Sequence, residues 1–140
     1  MNLFIAHTPY QLTLAMAIIK SENLVDNILL VYNTFNINSS QINKLNVYFK
    51  EIHIMENKCK DSFDNKFSIK EWIAKYRDVN YDLKKFEYIL LTLKERKFKK
   101  IFFSNNTYIE VQILIDTLKG NSTDIYYIED GCAAYHDIVH

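Results

Sequence analysis

Short continuous apolar runs alternate along this chain with longer stretches in which apolar residues return every three or four positions. The first kind suits a strand covered on both faces, and the second suits a helix with one face turned inward. The first run, Leu3 to His7, passes through Thr8 and Pro9 into an amphipathic segment from Tyr10 to Lys20 that carries Leu12, Leu14, Ala15, Met16, Ile18 and Ile19. Thr8 suits an N-cap and Pro9 the first helical position, so the pattern predicts strand, tight turn and helix. Asn27 to Tyr32 predicts a second strand. A polar stretch follows, in which Ser40 is expected to cap a short helix through Asn46. Glu51 to Met55, with His53 between isoleucines, predicts a third strand.

The charged stretch Glu56 to Asn65 lacks periodicity and predicts an exposed loop. From Ser68 a helical face of Ile69, Trp72, Ile73 and Tyr76 is expected, opened by a capping box between Ser68 and Glu71. A second helical stretch runs from about Tyr81 to Lys97 on Leu83, Phe86, Ile89, Leu90 and Leu93. Lys100 to Ser104 predicts the fourth strand. Asn105 and Asn106 lead into a helix on Ile109, Val111, Ile113, Leu114 and Leu118 that closes near Gly120. Asp124 to Ile128 predicts a fifth strand, buried. Trp72, Tyr76, Phe86, Phe102 and Phe103 fall at core spacing and are assigned to packing.

Strands and helices taken in turn, with right-handed crossovers, imply an α/β fold: a Rossmann-like doubly wound parallel sheet of about five strands in a single domain over residues 1–140. The length of 140 residues, about half of them apolar, suits one independently folding core. Lysine plus arginine and aspartate plus glutamate balance at 17 each, so net charge makes no case for nucleic acid. Cys59 and Cys132 stand far apart and imply neither a zinc framework nor a disulfide scaffold, which points to the reducing cytoplasm. No basic leader and no apolar run of membrane-spanning length is apparent.

In such a sheet ligands gather at the carboxyl ends of the strands, near the point where strand order reverses. Three polar groups are expected there: His7-Thr8-Pro9-Tyr10-Gln11, Ser104-Asn105-Asn106 and Glu129-Asp130-Gly131. Adjacent carboxylates repel, which raises the pKa of one of them, and a glycine behind them lets the backbone turn sharply; this is how a general base can be built. The same triplet also occurs as ordinary turn chemistry. Tyr10 and Gln11 in a first helical turn offer a hydroxyl, a carboxamide and free backbone donors, groups that suit a sugar. With two glycines and no glycine-rich phosphate motif, the domain is not expected to hold a dinucleotide. His136, Asp137 and His140 would make a metal face only on a helix, the weakest of these readings. The basic cluster Lys94 to Lys100 is first a solvated helix end; contact with anionic lipid or an anionic glycan is its minority reading.

The opening strand followed by His7-Thr8-Pro9-Tyr10-Gln11-Leu12, and the late strand followed by Glu129-Asp130-Gly131, resemble bacterial sialyltransferases, particularly the lipooligosaccharide enzymes of glycosyltransferase family 52 and the capsular polysialyltransferases. The resemblance implies the N-terminal, acceptor-side domain of a two-domain GT-B enzyme whose C-terminal half binds the donor CMP-sialic acid. It further implies inverting transfer to a cell-surface glycan, with no metal and no cofactor beyond the donor substrate. By similarity one acid of the triplet is the base; Glu129 is favoured, with Asp130 orienting it or the acceptor, and the reverse assignment stays open. The family's later His-Pro motif has no counterpart, since the one proline is Pro9. The chain is therefore expected to be part of a longer cytoplasmic enzyme, peripheral contact at the inner membrane face and self-association being left open, and to be inactive alone. The competing expectation is a non-catalytic α/β binding or assembly module.

Overall fold

A computed structural model describes residues 1–32, 36–55, 69–104 and 109–128. Five strands alternate with four helices: β1 Asn2–Ala6, α1 Pro9–Glu22, β2 Asn27–Tyr32, α2 Ser39–Leu45, β3 Glu51–Met55, α3 Ile69–Lys94, β4 Lys100–Phe103, α4 Ile109–Leu118 and β5 Asp124–Tyr127. The sheet is parallel throughout, in the order β3-β2-β1-β4-β5. This is a Rossmann-like doubly wound α/β architecture, and the order reverses between β1 and β4.

The period-two alternation of the central strands sorts their side chains into two cores. Leu3, Ile5, Ile28, Leu30 and Ile101 pack with Ile89 and Leu93 of α3 and with Val111, Leu114 and Leu118 of α4. Phe4, Ala6, Leu29, Val31 and Phe102 pack on the other face with Leu12, Ala15 and Ile19 of α1 and with Leu45 and Phe49. A row of rings crosses this second face, Phe4 stacked on Phe102 at 4.4 Å and Phe102 on Tyr126 at 4.9 Å between centroids.

The first helix starts as the sequence predicts. Thr8 accepts a hydrogen bond from the Gln11 N–H, Pro9 occupies the first turn, and Asn23 closes the helix in the left-handed conformation at φ 50°. The cap of α2 is Asn38 rather than Ser40. Asn38 Oδ1 accepts from the Gln41 N–H while Gln41 Oε1 accepts from the Asn38 N–H, a reciprocal box that satisfies two donors where a serine further along would satisfy fewer.

Four further expectations are corrected. The two helical stretches expected between Ser68 and Lys97 are one helix of 26 residues, α3. Of its expected inward face, Ile69 is 80 % exposed and Tyr76 69 %, with Ile73 and Leu83 also exposed, so Tyr76 is not a packing residue; the Trp72 side chain lies outside what is described. A helix of that length spans about 39 Å, whereas a six-residue strand spans about 20 Å, so only its second half lies over the sheet. Ile109 and Ile113 of α4 are likewise exposed, the inward face of that helix being Val111, Leu114 and Leu118. Finally β5 is exposed along its whole length, not buried, because it is an edge strand paired on one side only. The loop expected from Glu56, the Ser68 cap and the cysteines Cys59 and Cys132 lie outside the described residues.

Candidate functional site

Parallel register carries side chains from neighbouring strands to the same height, and here it places polar groups side by side at the carboxyl edge. Ala6 of β1 pairs with Val31 of β2. One step further the His7 ring stacks on the Tyr32 ring at 4.4 Å and 8°. His7 is buried, and its backbone N–H donates to Gln11 Oε1 at 2.6 Å. Gln11 is buried as well, so the first turn of α1 is tied back to the strand that precedes it. That bond occupies the carboxamide oxygen and leaves the Gln11 amide nitrogen as a donor.

Ser104 follows β4 directly and is 2 % exposed, and its hydroxyl has no hydrogen-bond partner among the described residues. The same is true of the buried Tyr32 hydroxyl. Burial pushes the Tyr32 phenol well above the usual tyrosine range, and the negative charge of Glu110, in the first turn of α4, pushes it the same way. Tyr32 is therefore a neutral donor and acceptor rather than a base. A buried hydroxyl without a partner carries a desolvation cost of about 1–3 kcal/mol, which a polar ligand reaching it would relieve; Ser104 lies at the reversal of strand order and Tyr32 one strand away, at the end of β2.

Of the residues expected at the site, His7, Thr8, Gln11 and Ser104 lie together at this edge; Thr8 acts there as the helix cap, and its hydroxyl is engaged. Pro9 and Tyr10 begin the helix and are exposed. The free backbone donors expected at this turn are fewer than foreseen. Pro9 has no N–H, the Gln11 N–H goes to Thr8 Oγ1 and the Leu12 N–H to the Thr8 carbonyl, so the turn offers at most one donor, that of Tyr10. It is a poor cradle for a pyrophosphate. Asn105, Asn106, Glu129, Asp130 and Gly131, with the metal face of His136, Asp137 and His140, lie outside the described residues. The Ile128 N–H donates to the Phe103 carbonyl at 2.7 Å, so β5 keeps to the sheet up to the residue before Glu129. Among the described residues no group of three histidine, cysteine or acidic side chains could hold a metal ion. None of their helices is long and apolar enough to cross a membrane.

Sequence inspection passed over Tyr32 and Glu110. Tyr32 closes an apolar run and looked like strand; only the register that sets it opposite His7 distinguishes it from its neighbours. Glu110 is a first-turn acid of α4, a position where an acid commonly complements the helix dipole, so its type alone carries no signal. Comparison with protein-family models, with curated proteins and with solved structures returns no match. The functional reading accordingly rests on geometry and on chemistry.

Proposed function

We propose that this chain is the acceptor-side domain of an inverting glycosyltransferase, a sialyltransferase using CMP-sialic acid, which binds a glycan at the carboxyl edge between β1 and β4. The observation that carries the reading is the buried, unpartnered Tyr32 hydroxyl beside the His7 ring, with a second such hydroxyl, that of Ser104, at the same carboxyl edge. A sugar offers what such a wall lacks: hydroxyls that both give and take hydrogen bonds, and a C–H face that lies against a ring. The sparse backbone donors of α1 agree with a donor nucleotide held mainly by another domain. Glu129 comes directly after Ile128 in sequence and is the proposed base, with Asp130 beside it. Glu129 removes the proton from the acceptor hydroxyl as that oxygen bonds to the anomeric carbon; the bond from that carbon to the CMP phosphate oxygen breaks, and CMP leaves with the electron pair.

The test uses the full-length gene product, assayed for transfer from CMP-sialic acid to a panel of oligosaccharides. Glu129→Ala is expected to lower kcat by about 100-fold or more, the usual contribution of a general base, with a smaller loss for Asp130→Ala. Ser104→Ala is expected to raise the acceptor KM by about fivefold or more with kcat little changed, since it removes a ground-state contact. Unchanged turnover in both acidic variants rejects the base. Absence of transfer, with no oligosaccharide perturbing the signals of His7, Tyr32 or Ser104 in NMR titrations, rejects the sugar site and leaves a non-catalytic binding module.

A further inference from the structure

A second recess lies beyond Pro9, between α1 and α2, with a cavity volume of about 190 Å³. Its wall is apolar: Leu12 and Met16 from α1, Ile37 from the approach to α2, and Leu45 from α2. Leu12 and Leu45 belong to the core behind it, so the recess has a firm back rather than a shallow, rearranging surface. A cavity of about 150 Å³ lined by aliphatic groups is enough to take up benzene, so this one has room for a single aromatic ring or a short alkyl chain.

The polar groups around it are of one kind. Gln41 and Lys44 stand three residues apart on α2 and face the recess together. The capping box fixes Gln41, because its Oε1 already accepts from the Asn38 N–H; the amide nitrogen is the part left over, and it can only donate. The Lys44 ammonium, also donor-only, has no ion pair with a described carboxylate. Thr13 is the remaining polar group, and its hydroxyl donates to the Pro9 carbonyl at 3.1 Å. Among the described residues no carboxylate lines the recess. An apolar pocket with two donors on one side and no anion around it complements a small organic anion: a hydrocarbon body of about one ring in size, seated against Leu12 and Met16, with its acidic head at Lys44 and Gln41.

We propose that the recess between α1 and α2 is a binding site for a small organic carboxylate or a similar anion with a short alkyl or aryl body. The site is separate from the edge formed by His7, Tyr32 and Ser104, and the inference does not depend on the transferase reading.

The test is a heteronuclear NMR titration of the isotopically labelled full chain with hexanoate, 3-phenylpropanoate, hexan-1-ol and hexylammonium. Ligands of this size are expected to reach a Kd on the order of 1 mM. The carboxylates should bind about twofold to fivefold more tightly than the alcohol, the scale of an exposed ion pair, and hexylammonium should bind weakest. Shifts should centre on Leu12, Met16, Ile37 and Leu45. A tighter hexanoate assigns an alkyl body, and a tighter phenylpropanoate an aryl one. Lys44→Gln should abolish the preference for carboxylate over alcohol. Thr13→Phe, at an exposed position of α1, should fill the recess and remove binding with the circular dichroism and Tm unchanged. Should Thr13→Phe fail to fold, Met16→Trp fills the recess from further along the same helix. Failure of both carboxylates to bind, equal binding of hexylammonium, or full binding in a folded filled variant overturns the proposal.

Discussion

Strands β2 and β5 have similar apolar character in sequence and opposite positions in the fold. In β2, Asn-Ile-Leu-Leu-Val-Tyr, the first five residues are buried and Leu30 is 0 % exposed. In β5, Asp-Ile-Tyr-Tyr, every residue is exposed, and Tyr127 is 54 % exposed. The difference is one of neighbours: β2 lies between β1 and β3 with helices over both faces, whereas β5 pairs with β4 alone. An apolar, β-branched or aromatic run specifies a strand because such side chains fit a pleated surface; how much of that surface is covered depends on its place in the sheet. Edge strands left open can pair with other chains, and the exposed aromatics of β5 keep that liability.

The largest effect that would sharpen this contrast is a truncation within β2. Leu30→Ala should cost about 2–5 kcal/mol in urea denaturation, because it leaves a cavity between the sheet and α3. Ile125→Ala in β5 should cost about 1 kcal/mol or less, since the residue is already 42 % exposed in the folded chain. Equal losses at the two sites would mean that β5 is as well covered in solution as β2, and the contrast would fail.

The legible parts of the fold were those in which local chemistry and tertiary position agree. Asn27–Tyr32 and Glu51–Met55 appear at their expected bounds, and Thr8 and Pro9 start α1 as expected, because a continuous apolar run and a cap followed by proline each have few structural outcomes. What failed needed knowledge of neighbours. Ile69, Ile73 and Tyr76 have helical spacing and form helix, but the sheet beneath α3 is shorter than the helix, and spacing carries no information about where a partner surface ends. At the candidate site His7, Gln11 and Ser104 were legible as strand-end polar residues. Tyr32 was not, since its pairing with His7 follows from strand order, which periodicity leaves open.

A middle-sized effect separates the starts of the same two strands. Asn27 is buried at the first position of β2; its Nδ2 donates to the Leu24 and Tyr48 carbonyls and its Oδ1 accepts from Asn2 Nδ2 at 3.0 Å. One side chain thus ties β1, β2 and two loops together. Thr123, ahead of β5, donates to the Phe98 carbonyl at 2.7 Å and accepts from the Gly120 N–H at 2.8 Å, in a part-buried and an exposed bond. Asn27→Ala removes the donor to the Leu24 and Tyr48 carbonyls and one of the two acceptors of the Asn2 amide, which keeps the Val25 carbonyl, and should cost about 1–3 kcal/mol; Thr123→Ala exposes its partners to water and should cost about 1 kcal/mol or less. Amide hydrogen exchange checks the same point, with β1 and β2 losing protection in Asn27→Ala and only the β5 end in Thr123→Ala. Reversal of the two costs would place the better anchor at the edge.

The smallest effect distinguishes the two edges from each other. Strand β3 is also an edge, but Glu51 at its start accepts a hydrogen bond from Arg96 Nη1 at 2.6 Å and lies 3.3 Å from His53 Nε2. The Arg96 bond, with a further contribution from the charges of Arg96 and from His53, holds the Glu51 carboxyl below its ordinary value of 4.5, although partial burial works the other way. Because the folded-state pKa is the lower one, the pair's stabilisation is fully present above pH 4.5 and is lost as the pH falls through the folded-state pKa. The Glu51 side chain is 32 % exposed, so solvent screens the pair and the gain at pH 7 is about 0.5 kcal/mol. Urea midpoints of the native chain and Glu51→Gln should therefore differ slightly at pH 7 and converge in the acid range and in high salt, while the loss in Ile125→Ala, being apolar, should show neither dependence. A constant difference between native and Glu51→Gln across pH and salt would assign the effect to something other than the carboxylate charge and remove the electrostatic distinction between the edges.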